Sequence, residues 1–233
     1  MNAFLIVLSG MPFWVFIVFA VIIGLIAVLI LFSKKAIVRR ALRSAPYKRI
    51  HEVQNGEKAR IVGRIVYAGQ VLQSPLSKRH CAAYHVEVQE LRRSGKSSTW
   101  VTVINDEKRG DIVIHDGMGN ALVDAHAVQT LMVQDANFSS GTFNNASPEL
   151  VEYLRLHGRE STGFLGFNKS LRYREGILEQ NELVAAVGVG TWGSARAKNL
   201  NLTNDRLLLL GADEKGKLYV TDDPGLIKTD EAV

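Results

Sequence analysis

Residues 82–91 read AAYHVEVQEL. Here Ala82, Tyr84, Val86 and Val88 fall on one side of an extended chain, and Ala83, His85, Glu87 and Gln89 on the other. Strand side chains alternate between faces, so this pattern predicts a β-strand with one apolar face. Working outward, residues 58–67 (KARIVGRIVY), 99–104 (TWVTVI) and 111–124 (DIVIHDGMGNALVD) continue in β-branched residues. Asp116-Gly117 lies between the apolar runs 112–115 and 121–124 and predicts a hairpin. Further strands are predicted over 171–178, 183–191, 206–210 and 217–221, with 213–216 as a hairpin loop between the last two. Short strands at this spacing predict a mainly β fold, barrel-like or sandwich-like.

One helix interrupts the strands. Ser147 is a suitable N-cap, Pro148 suits the first helical position, and Glu149 and Glu152 favour the positive end of the helix dipole. Leu150, Val151 and Leu154 supply an apolar stripe, and Gly158 suits the left-handed position that ends it. Residues 59–69 (ARIVGRIVYAG) echo 183–193 (LVAAVGVGTWG). The echo admits a duplicated β-unit; the glycines equally suit bulges where strands bend.

Charge is segregated along the chain. Residues 1–33 carry no charged side chain, residues 34–49 carry seven basic and no acidic ones, and the rest holds 21 basic against 23 acidic. The net charge of +5 therefore comes from a short collar, and the overall basicity gives no case for a nucleic-acid partner. Residues 13–32 (FWVFIVFAVIIGLIAVLILF) form an uncharged run of about 30 Å as a helix, the thickness of a bilayer core. A cleaved signal would want basic residues before its apolar run, and none precedes Lys34. The run is read as a retained single-pass anchor. Lys34, Lys35, Arg39, Arg40, Arg43, Lys48 and Arg49 follow it directly. By the positive-inside rule they place the body in the cytoplasm, under the inner membrane if the cell is bacterial, and the N-terminus outside. The same residues form a membrane-surface patch, with the lipid bilayer as a partner. The expected organisation is an anchor over 1–33, a basic juxtamembrane collar over 34–49, a β-rich domain over 50–225 and a tail over 226–233.

Candidate chemistry is sparse. Cys81 is the single cysteine, which excludes a disulfide framework. On a strand His85 lies about 13 Å from it, and His80 points the other way, whereas a Cys-His pair needs contact at about 3.2 Å. His115, Asp116, Asp124 and His126 form the best candidate metal cluster, provided that a hairpin brings them together; otherwise they are a polar hairpin end. No phosphate-binding, nucleophile-elbow or dinucleotide motif is present, and no cofactor is expected. Residues 74–80, Ser74, Pro75, Leu76, Ser77, Lys78, Arg79 and His80, form a candidate binding loop that begins as a tight turn with a basic end. Residues 138–145 (FSSGTFNN) and 162–167 (TGFLGF) offer aromatic docking loops.

Ordered motifs carry a family resemblance. They run from Ile50-His51-Glu52-Val53, Gly56 and 59–63 (ARIVG) through Leu72 and Ser74-Pro75-Leu76-Ser77 to Cys81, Tyr84 and Trp100. The turn 116–121 follows, then Arg174-Glu175, Leu178, Leu183, Gly188, Gly216, 218–221 (LYVT) and Pro224. Over about residues 50–225 this order resembles the GIDE, or "beside a membrane" (BAM), domain. That domain is known from mitochondrial membrane-anchored RING E3 ubiquitin ligases and from membrane-anchored prokaryotic relatives, which the chain resembles more. The motif positions carried over are Cys81, Tyr84, Trp100, Glu175 and Gly188. A RING needs seven or eight cysteine and histidine zinc ligands, and one cysteine within these 233 residues does not supply them. The resemblance therefore implies a non-catalytic, membrane-side binding or scaffolding module for membrane or membrane-proximal proteins, and no ligase activity. The alternatives are a hydrolase-like enzyme and an accessory subunit of a membrane complex.

Overall fold

The computed structural model describes residues 13–95, 97–134, 136–140, 147–160 and 169–227. Two helices lead, α1 (Phe13–Leu31) and α2 (Lys34–Arg43). Strands β1 (Glu57–Val66), β2 (Leu72–Gln73), β3 (His80–Cys81), β4 (Ala83–Ser94), β5 (Ser97–Arg109), β6 (Ile112–His115) and β7 (Asn120–Val123) follow. After β8 (Gln129–Leu131) and β9 (Ala136–Ser140) come α3 (Pro148–Leu156), β10 (Leu171–Leu178) and β11 (Leu183–Ser194). The described chain ends with β12 (Arg206–Gly211), β13 (Tyr219–Thr221) and α4 (Pro224–Ile227).

The fold is mainly β and is built on a closed five-stranded barrel. Neighbours run β1-β6-β7-β12-β11, and β11 pairs back onto β1. Only β7 and β12 are parallel within this ring. Closure pairs both sides of the ring strands, and the sheet continues beyond it through β13 to an end strand, β8. The interior is apolar: Ile61, Ile65, Ile112, Ile114, Leu208 and their neighbours are fully buried. Gly188 is a barrel position where a Cβ would stand 2.7 Å from the Gly211 carbonyl, closer than a side chain tolerates. The two echoing segments are partners: Ala59 lies opposite Gly188 and Gly63 opposite Val184 in one antiparallel register.

The insertions between barrel strands build a second sheet, in the order β5-β4-β10-β9. One face of β4, with Tyr84, Val86 and Val88 buried as its alternation predicts, packs against Leu150, Tyr153 and Leu154 of α3. The α3 caps match the sequence pattern: the Ser147 hydroxyl accepts the Leu150 amide, and Gly158 adopts φ +65°.

One expectation is corrected, and of the two readings of the 115–126 cluster the polar hairpin end is the one the register fits. The 213–216 loop joins no hairpin, because β12 and β13 lie beside different parts of β11, and β13 also pairs with β8. Long-range partners outcompete the local pairing here. In the β6–β7 hairpin, His115 faces Asn120 at the turn while Ile112 faces Val123 at the far end. Asp124 and His126 therefore lie at the opposite end from His115 and Asp116, about 10 Å along the strands.

The basic collar is a structured element. Ser33 caps α2, and Val38 and Leu42 bury their side chains against Ala185, Val187, Tyr219, Leu226 and Ile227. Lys35 reaches Asp223 at 2.5 Å. Residues 34–43, with Leu226 and Ile227 of the expected tail, thus form a separate apolar cluster on the face of β11 and β13 that is turned away from the barrel interior. By contrast α1, uncharged over 19 residues, leaves Trp14, Ile23, Leu25 and Leu29 each at least 60% exposed. Among the described residues no single helix is long and apolar enough to cross a membrane. The pair Ile17–Leu31 and Lys34–Arg43, bent by 57°, meets the length and composition together.

Candidate functional site

Two regions gather the residues singled out in the sequence. The first centres on Glu175. Its strand pairs with β4, so that Glu175 lies opposite Val86, and its side chain is fully buried. The carboxylate accepts the backbone amides of Leu76 and Ser77, each at 3.0 Å, and the Ser74 hydroxyl at 3.4 Å. A buried carboxylate is tolerable only when such donors surround it. The candidate binding loop therefore has two halves. Ser74, Pro75, Leu76 and Ser77 form the part clamped by Glu175, with the Ser74 and Ser77 hydroxyls 2.6 Å apart. Lys78, Arg79 and His80 stay exposed; Lys78 takes φ +59°, and Arg79 pairs with Glu179 at 3.0 Å.

Cys81 lies beneath this loop and is fully buried. Burial, followed by the nearby Glu175 and Glu179 carboxylates, pushes its thiol up to about 12. At neutral pH it is a protonated, inaccessible thiol, the opposite of an activated nucleophile. Tyr84 is pushed up to about 12 by burial and then by Asp106, whose carboxylate its hydroxyl approaches at 3.4 Å. Tyr153 of α3 donates to the same carboxylate at 2.9 Å, and the His157 ring stands 3.9 Å away. This Tyr–Tyr–Asp–His group ties α3 to β5. Sequence reasoning missed it because its members are spread from residue 84 to 157. Trp100 lies under the Arg172 guanidinium at 4.5 Å, a cation–π contact between β5 and β10.

The hairpin cluster is occupied by backbone. Asp116 accepts the amides of Ile50, Met118 and Gly119, and Asp124 accepts that of His126. Among the described residues no group of three metal-ligating side chains converges. The loop at 162–167, and 141–145 of the other aromatic loop, lie outside the described residues.

The second region is the basic end. Lys34, Arg39, Arg40 and Arg43 are exposed on α2, and Arg49 is exposed beyond it. Lys48 pairs with Glu57 and Lys35 with Asp223. Arg40 bends back to donate to the Leu31 carbonyl at 2.7 Å, capping the end of α1. A third feature, a cavity of about 500 Å³ outside β7 and β12, carries Asp111, Asp124, His126 and Lys198 around an apolar floor.

Comparison with protein-family models, with curated proteins and with solved structures finds no match to this chain.

Proposed function

We propose that the protein is a membrane-anchored binding or scaffolding module of the GIDE/BAM type, with the apolar N-terminal segment that ends in α1 as its bilayer anchor and the barrel held on the cytoplasmic side. The observation that carries this reading is the junction at residues 31–44. An uncharged helix, exposed over residues 17–31, runs into a basic amphipathic helix whose apolar side packs on the barrel wall at Ala185, Val187 and Tyr219. Apolar surface on this scale in water needs a partner, and a bilayer supplies one. The docked α2 then fixes how the barrel faces the membrane. Restricting a module to a surface raises its effective concentration, so a small interface suffices.

The family part of the reading is supported by the meeting of two motif blocks, Ser74–Ser77 and Glu175, in one buried contact. The binding role falls on the exposed end of that loop, Lys78, Arg79 and His80, held on a rigid base. Cys81, with its raised and buried thiol, speaks against a cysteine hydrolase. The test is affinity capture from native membranes, read by mass spectrometry, against a variant that keeps residues 1–49 and carries an inert domain in place of the rest. Partners retained by the full chain alone are expected. The same partners on both chains would contradict a role for the barrel in binding.

A further inference from the structure

A cleft of about 510 Å³ opens where α1, α2 and the barrel meet. Three cations from distant parts of the chain line it: Arg40 on α2, Lys58 on β1 and Lys217 ahead of β13. Ser44 adds a hydroxyl, and Phe32 and Ile37 form an apolar wall. Phe32 is 67% exposed and immediately follows the apolar helix. We propose that this cleft holds the phosphate headgroup of an anionic phospholipid, with an acyl chain leaving along Phe32 beside α1. The inference rests on the membrane reading above and gives it a specific ligand.

The cations are placed rather than merely present. Lys58 is held by Asp213 at 2.8 Å, and Arg40 by the Leu31 and Ala36 carbonyls through Nη2 and Nε, leaving Nη1 outside both bonds. Among the described residues the Lys217 ammonium has no ion-pair partner. Three cations against the one carboxylate of Asp213 leave an excess of positive charge, which a phosphodiester answers. A guanidinium and two ammonium groups suit phosphate oxygens. The apolar wall, at the depth where a bilayer's headgroups begin if α1 spans it, favours a lipid over a free anion.

The experiment places the full chain in nanodiscs of phosphatidylcholine with or without phosphatidylglycerol and counts the lipids retained on release by native mass spectrometry. Wild type is expected to retain phosphatidylglycerol preferentially. The pair Lys58→Gln/Lys217→Gln is expected to lose that preference by about fivefold per charge. The pair Arg92→Gln/Arg93→Gln, which removes as much charge from the exposed tip of the β4–β5 hairpin, outside both the cleft and the basic collar, is expected to keep it. Lys217→Gln alone, which spares the Lys58–Asp213 pair, serves if the double variant misfolds. Equal losses in both pairs, or no lipid preference, would overturn the site while leaving the anchor intact. Inorganic phosphate displacing the lipid at equal concentration would assign the cleft to a soluble anion and overturn the lipid. A chain that fails to enter nanodiscs of either composition overturns the membrane reading itself.

Discussion

Glu175 and Leu76, 99 residues apart, meet in the interior, where the carboxylate accepts the Leu76 amide at 3.0 Å. Through that contact the second sheet dictates the shape of the loop at residues 74–77. Removing the carboxylate leaves the Leu76 and Ser77 amides without their acceptor. Glu175→Ala is expected to cost about 3 kcal/mol, the scale of losing hydrogen bonds to a buried charged acceptor. Urea unfolding with an unchanged slope and a lower midpoint checks it. A stability within about 0.5 kcal/mol of wild type would contradict the clamp.

Cys81 and Tyr84 are both pushed up to about 12, each chiefly by burial. Their folded-state values exceed the unfolded ones, so the stability they contribute is present below the unfolded values and is lost as pH rises through 9–12. The protein is therefore expected to unfold on the alkaline side, with thiol labelling that follows unfolding rather than the free-thiol titration. Fast labelling of the folded chain at pH 8 would show an accessible thiolate. Cys81→Ser is expected to leave partner capture intact.

Asp213 is held down to about 2, first by its hydrogen bond from Lys58 and then by the Lys217 amide. A lowered carboxylate contributes stability above its unfolded value, lost as pH falls from 3.8 toward 2. Lys58→Gln should raise the Asp213 midpoint toward 3.8, read by carboxyl NMR titration. An unmoved midpoint would assign the effect to the backbone amides.

Leu42, 2% exposed, joins α2 to the barrel. Leu42→Ala is expected to cost about 3 kcal/mol and to speed amide exchange across α2 before the barrel strands. Uniform acceleration would mean that α2 and the barrel open as one unit.

What the sequence made legible follows from physical range. Strand periodicity, the Asp116-Gly117 turn and the Ser147–Gly158 helix limits are local signals, and each is found in the structure. Barrel closure is set by non-local register, which no local pattern records; hence β13 lies beside β11 rather than β12. Glu175 was visible as a motif position, but its capture of the loop 99 residues earlier was not. In α2 the signal was present and was masked by charge: Val38 and Leu42, one turn apart among the arginines, give the apolar side that docks. Lys58 and Lys217 carried no signal, because only folding brings them to Arg40.

The central claim is that α1 fastens this barrel to a bilayer. Alkaline carbonate extraction of membranes from cells making the full chain tests it most directly, beside a variant that lacks residues 1–32 and keeps the Ser33 cap. The full chain is expected to stay in the pellet after carbonate, while the truncated chain, its α2 still docked, is found in the supernatant. Release of the full chain into the supernatant would contradict it.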